Sequence, residues 1–292
     1  MEELIIYLVL IIFGLCMGSF AGALVWRLRA FQLKEEKNDG EKINDSEYEK
    51  LEKLTKNKVK NDYSRCLNCS YKLKWYDLIP LFSWISLKGK CRHCHKKIGY
   101  MEPAVELFTA LFFVLSYIYW PESLNTFFGF TSFILWLIAG VGLAVLFVYD
   151  VKWYLLPNRV SKFVLFVGII NSLIVLVQSN DKFHSIISIL FALFILSGLY
   201  WILHKISKGK WIGFGDVELG LGLALMLADW RLAFIALFMA NFIGCLIVLP
   251  PLLAGKLERN SKIPFGPLLI IGFIFAKLAG MYLINLYFYS LI

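Results

Sequence analysis

"NTFFGFTSFILWLIAGVGLAVLFVYD", Asn125–Asp150, carries no charged side chain from 125 to 149 and then closes on an aspartate. A bilayer core takes about 20 apolar residues of helix. This stretch is long enough to cross one, and segments near that length recur at about 4–26, 103–120, 160–178, 183–203, 214–228, 231–254 and 264–290. The reading is an all-α polytopic membrane protein with about eight transmembrane helices. Two segments, 103–120 and 214–228, fit least well, because each contains an acidic residue and the second is short. The composition agrees: 59% hydrophobic against 17% charged is too apolar for a soluble domain. Unbroken apolar runs, rather than ten-residue alternation, exclude a membrane β-barrel. The first segment is read as a retained helix, since Glu2 and Glu3 stand where a signal peptide carries basic residues.

Basic residues set the expected orientation. The span 27–102 holds 18 Lys and Arg. With eight helices, the loops carrying Lys152, Arg159 and Lys162, then Lys205, Lys208 and Lys210, then Lys256, Arg259 and Lys262 fall on that same side. Lys182 and Arg231 fall opposite, and Lys277 lies inside the last segment. The large loop is therefore expected in the cytoplasm of a multi-pass inner-membrane protein. The net charge of +9 follows from this asymmetry and the anionic inner leaflet, with no nucleic acid as partner.

The expected organisation is a first helix (1–30), a cytoplasmic loop (31–102) and a membrane domain (103–292). The loop divides in two. Residues 31–62 are a charge-mixed insertion with Glu49 and Lys53 at i,i+4 spacing, read as a solvated helix or disorder rather than a partner-binding arm. Residues 64–100 add Trp, Tyr, Phe and Leu to four cysteines and are read as a small folded module.

Cys66-x2-Cys69 and Cys91-x2-Cys94 are two knuckle-like pairs, which is how a chain delivers four soft ligands to tetrahedral zinc. A cytoplasmic location argues against two disulfides, and a module this small has too little core to fold alone, so the metal's role is read as structural. His93 or His95 replacing a cysteine is the lesser alternative. Cys16 and Cys245 are read as small core residues of apolar helices, and His184 and His204 as residues of helix ends.

Acidic residues at membrane depth carry a functional hypothesis by default. Asp150 ends one apolar segment in "VYDVKWYLLPN" and Asp216 opens another in "GFGDVELG". Both fall at the same boundary, so they can meet. Two facing carboxylates share one proton; the ionised member activates water while the protonated one polarises a carbonyl. Gly213 and Gly215 let a substrate or a neighbouring helix approach closely. For either aspartate alone, an interfacial helix-end residue is an equal reading, and Asp216 at a helix N-terminus would be favoured by the macrodipole; their pairing on one side favours chemistry. Glu218 carries a weaker case, and Glu102, Glu106 and Asp229 are assigned to interfaces or packing.

Seven motifs in order, "GSFAGALVWRL" (18–28), "SRCLNC", "KWYDLIPLFSWISLKGKCRHC", "EPAVELFTA", "YDVKWYLLPN", "GFGDVELG" and "PFGPLL" (264–269), make the chain resemble the type IV prepilin leader peptidases, aspartic proteases of the membrane. The resemblance implies cleavage of the basic leader of prepilin or pseudopilin precursors on the cytoplasmic side, with Asp150 and Asp216 as the catalytic pair. It also implies N-methylation of the new terminus from S-adenosylmethionine, associated with the first-helix motif and the cysteine module. This chain departs from the family pattern in Glu218, where lysine is usual, in a "CLNC" without proline, and in the long 31–62 insertion. The competing reading is an ion- or solute-coupled transporter, which requires carboxylates near the bilayer midplane and gives the cysteines no role. A membrane methyltransferase or scaffold with an inert pair is the other.

Overall fold

The computed structural model describes residues 2–55, 63–256 and 263–289. The end of the charged insertion (56–62), together with Arg259 and Lys262, lies outside the described residues. The chain divides into two compact units, Met1–Leu115 and Ser116–Ile292, with the division in the last turn of a helix. Among the described residues the structure is helical, with no strand beyond two isolated antiparallel bridges.

In the first unit, where α3 (Phe82–Ser86) is a short turn of helix between the two cysteine pairs, α1 (Glu2–Asn38) and α4 (Met101–Ile118) pack at the glycines of α1: a Cβ on Gly18 would stand 2.5 Å from Glu106 Cα. The Trp26 indole N–H donates to Glu102 at 2.9 Å, and the Leu81 N–H donates to Glu106 at 2.7 Å. The "GSFAGALVWRL" and "EPAVELFTA" motifs are therefore the two faces of one helix contact.

α1 also runs past the apolar segment to Asn38, because its extension has an apolar face to bury. Ala30 and Leu33 cluster with Leu51 of α2 (Asp45–Leu51), surrounded by Trp26, Ile43, Tyr48, Leu54 and Leu67. Asn44 caps α2, and Arg29 grips Glu47 at 2.9 Å. The described part of the insertion is thus helical and rests on α1 through Leu51, 2% exposed, while most of its other side chains are exposed. A few apolar residues spaced among many charges were enough to fold it down.

The second unit contains α5 (Phe127–Trp153), α6 (Asn158–Gln178), α7 (Lys182–Leu193) continuing through a π turn (Phe194–Gly198) into α8 (Leu199–Ser207), then α9 (Phe214–Leu227), α10 (Trp230–Leu253) and α11 (Phe265–Tyr289). Seven helices of the described chain are long and apolar enough to cross a membrane. The eighth expected span is α9, shorter than these, with 14 residues that extend about 21 Å; α10 after it starts against Ser188 of α7 and α11 starts against the end of α5, so the chain still crosses here. α9 is buried among its neighbours: Leu219, Leu223 and Ala224 are 0% exposed. Polar ties hold it there. Asn171 donates to the Met226 carbonyl at 2.9 Å and Ser197 donates to the Val217 carbonyl at 2.9 Å.

Gly220 is where α9 meets the π turn, and an added Cβ would run into the Leu196 carbonyl oxygen. Backbone cannot give way as a side chain can, so Gly220→Ala is expected to destabilise the unit by roughly 1–3 kcal/mol or more. A lower melting temperature in detergent checks this; a wild-type melt would show that the helices part without cost. Cys16 and Cys245 are exposed on outward helix faces, not in the core. In a bilayer the outer face is apolar too, so an apolar neighbourhood in sequence does not identify the inner side.

Candidate active site

Asp150 lies one turn before the end of α5 and is 6% exposed. The chain turns there: Tyr154 takes a left-handed φ of 56° and donates its N–H to the Asp150 carbonyl at 2.8 Å. The Asp150 carboxylate accepts the Gly266 N–H at 3.0 Å, from the start of α11. A Cβ on Gly266 would stand 2.8 Å from Asp150 Oδ2, so only glycine admits this donor at this range. Gly266 belongs to the "PFGPLL" motif, yet nothing in its sequence context links it to Asp150.

Asp216 occupies the first turn of α9, is half-buried, and takes a hydrogen bond from the Gly213 backbone at its N-terminus. The turn before it is held from α8: His204 Nδ1 meets the Ile212 carbonyl at 2.8 Å, and its ring packs on Phe214. His204 therefore positions the helix that carries Asp216. The two carboxylates, 66 residues apart in sequence, lie within electrostatic reach of each other. Leu156 fills the space beside them: a Cβ on Gly215 would stand 3.1 Å from it, and one on Gly266 3.4 Å. Gly215 thus serves close packing against Leu156, whereas Gly213 has an ordinary extended backbone, φ −72° and ψ 154°. Glu218 is half-buried about half a turn along from Asp216, on a different face of α9. Asp229 caps α10 and pairs with Arg231 at 2.7 Å, which accounts for it structurally.

In the first unit, the four cysteine sulfurs lie within 4.8 Å of one another. The Cys66–Cys94 and Cys69–Cys91 separations are 3.9 and 4.0 Å, against the roughly 3.8 Å edge of a tetrahedron with metal–sulfur bonds near 2.3 Å. The set fits a metal ion. Each pair sits on the same turn. The Cys66 N–H donates to the Tyr71 carbonyl and the Ser70 N–H to the Cys66 carbonyl, while Cys91 and His95 repeat the pattern with Lys96. Ser70 and His95 take matching left-handed φ values of 58° and 56°. His93 stacks on the Tyr71 ring at 5.0 Å, and neither histidine joins the sulfur cluster. Burial pushes the Cys66 thiol up to about 12, whereas the Lys96 backbone beside Cys94 brings that thiol down to about 6.

Fold and site define a class: a polytopic helical membrane protein with an acidic pair at the ends of two helices and a cysteine cage in its N-terminal unit. Residues 12–120 match the Bacterial Peptidase A24 N-terminal domain, and residues 137–249 match the Type IV leader peptidase family. The chain is 28% identical to a Prepilin leader peptidase/N-methyltransferase of Dichelobacter nodosus, over 89% of this chain and 87% of that one. It is 28% identical to the protein of the same name in Pseudomonas aeruginosa, covering 92% and 89%. A Type 4 prepilin-like proteins leader peptide-processing enzyme of Escherichia coli is also 28% identical, over 89% and 88%. No solved structure gives a significant match. The chain belongs to the type IV leader peptidase family and is a membrane peptidase. The transporter reading finds no support: both carboxylates sit at helix ends, and both parts of the chain match peptidase domains.

Proposed function

We propose that this protein removes the leader peptide of type IV prepilin-like precursors, with Asp150 and Asp216 as the pair that activates water. One observation carries the reading: two aspartates from separate helices share one site, and a backbone N–H holds the first. One carboxylate of such a pair takes a proton from the attacking water. Its protonated partner donates to the scissile carbonyl, so no covalent enzyme intermediate forms. The apolar segment after the scissile bond lies among the membrane helices, and the basic leader stays in the cytoplasmic layer of the inner membrane, where the excess of Lys and Arg is placed by the orientation rule.

Zinc is the metal that best suits four thiolates at this spacing. When bound, it supplies a rigid cross-link between the two knuckles, and Cys66, Cys69, Cys91 and Cys94 hold it. Methylation of the released N-terminus from S-adenosylmethionine completes the reading, supported by the relatives' names. The described chain has no strand and hence no doubly wound dinucleotide-type site, so no residue is assigned to the methyl donor.

The test is incubation of the purified protein with a precursor, its product read by mass spectrometry. Loss of the leader is expected at one bond, with a gain of one methylene when the donor is added. An uncut precursor under conditions where a known relative cuts it would overturn the reading. Within it, Gly266→Ala is expected to lower turnover about 10- to 100-fold, because the new methyl displaces the Asp150 carboxylate from its donor. Turnover within about twofold of wild type would show that this hydrogen bond does not position Asp150.

A further inference from the structure

Tyr200 stands two residues past the π turn, at the start of α8, and is 4% exposed. Its hydroxyl has no hydrogen-bond partner among the described residues. A buried O–H left unused costs roughly 1–3 kcal/mol, and such a group calls for an explanation. Its surroundings offer one. The Tyr200 ring packs edge-on against Phe265 at 5.2 Å, and Phe265 directly precedes Gly266, the donor to Asp150. The hydroxyl lies within electrostatic reach of Asp216. The Asn241 side chain comes within hydrogen-bonding reach of the hydroxyl, but its amide N–H is turned to the Leu237 carbonyl at 2.8 Å and no bond of good geometry joins it to Tyr200. Asp150 therefore has a neutral backbone donor from another helix, and the Tyr200 phenol is a second neutral donor packed on that same segment, within electrostatic reach of Asp216.

We infer that Tyr200 is a positioning residue for peptide cleavage, its hydroxyl donating to the Asp216 carboxylate once the precursor fills the site. This rests on the reading of Asp150 and Asp216 as the reacting pair. Hydrogen bonds of this kind stand long in an empty site and tighten around bound substrate. A neutral donor orients the carboxylate without adding a charge to the buried site.

The experiment compares Tyr200→Phe with wild type, Asp216→Asn and Asn241→Leu in precursor cleavage and in thermal melts. Tyr200→Phe keeps the ring packing on Phe265 and removes only the oxygen. The expected result is a kcat about 10- to 100-fold lower, with KM within about twofold and a melting temperature equal to or above wild type. An unchanged kcat would overturn the inference. So would a lower melting temperature reproduced by Asn241→Leu, since the hydroxyl would then be a structural tie to Asn241. Retained cleavage by Asp216→Asn is a separate failure: the pair itself would not be the reacting group, and Tyr200 would have nothing to position.

Discussion

Asp150→Asn and Asp216→Asn are each expected to lower leader cleavage by about 10³-fold or more, while leaving the fold intact. The shape of the side chain survives in both variants. In Asp150→Asn the amide keeps a carbonyl oxygen that can accept the Gly266 N–H, which now meets Asp150 at 3.0 Å. What disappears is proton exchange: an amide neither takes the proton of water nor offers one from a carboxylic acid. General acid–base groups contribute about 10²- to 10⁴-fold each, and loss of 10³ is close to 4 kcal/mol of barrier. The double variant is expected to be little worse than either single one, because the two groups act as a unit. Cleavage by either single variant at more than a few per cent of the wild-type rate would sink the dyad, and Glu218, half-buried nearby on α9, would be the next carboxylate to substitute.

The other large effect concerns the cysteine cage. Between residues 64 and 100, Cys91 is the sole buried hydrophobic side chain, at 3% exposure. Trp75 is 76% exposed, Phe82 67% and Tyr100 79%. A segment so poor in core has little besides the metal to hold it, and apparent binding free energies for structural zinc in small modules are about 10–16 kcal/mol at neutral pH. Strong chelation, or Cys91→Ser, is therefore expected to open this segment. The readout is proteolysis: new cuts appear between 64 and 100, while 116–292 stays protected. Metal content should fall from one ion per chain to well below half. Unchanged protection after complete metal removal would show that packing alone holds the module. Acid works in the same direction. With the Cys66 thiol raised to about 12, its ligation at neutral pH must release a proton, so metal affinity is expected to fall as pH falls.

Much of this was legible in the sequence because the signals were one-dimensional. Apolar run length picks out eight membrane segments, seven of them long enough to cross a bilayer by length alone, and the spacing of Cys66, Cys69, Cys91 and Cys94 picks out the cage before any geometry. The surroundings of α9 are not legible, for a physical reason. A helix buried among its neighbours is as uniformly apolar as one facing lipid, and only its length of 14 residues sets it apart. The docking of Leu51 is not legible because the insertion's apolar residues are sparse; it is buried only because α1 extends far enough to present Ala30 and Leu33. Asp150 and Asp216 stood out as charges where charge is expensive. Gly266, Leu156 and Tyr200 did not, because an apolar or aromatic residue in an apolar helix carries no local sign of what it touches.

The five-residue π turn, Phe194–Gly198, takes up one residue more than α-helical winding needs within a single wider turn, so α7 and α8 continue in phase across it. An α-helix advances about 100° per residue. A residue added or removed between this turn and Tyr200, with the π turn kept as it is, would rotate all that follows on the rod by about that angle. Tyr200 would swing off Phe265, and His204 off the Ile212 carbonyl that holds the approach to Asp216. Such length changes would thus be lethal to the site even where every side chain is kept. Insertions in the charged segment after α1 would leave the same azimuths untouched. Across relatives, the spacing from this turn to "GFGD" should be invariant while the composition of the turn drifts.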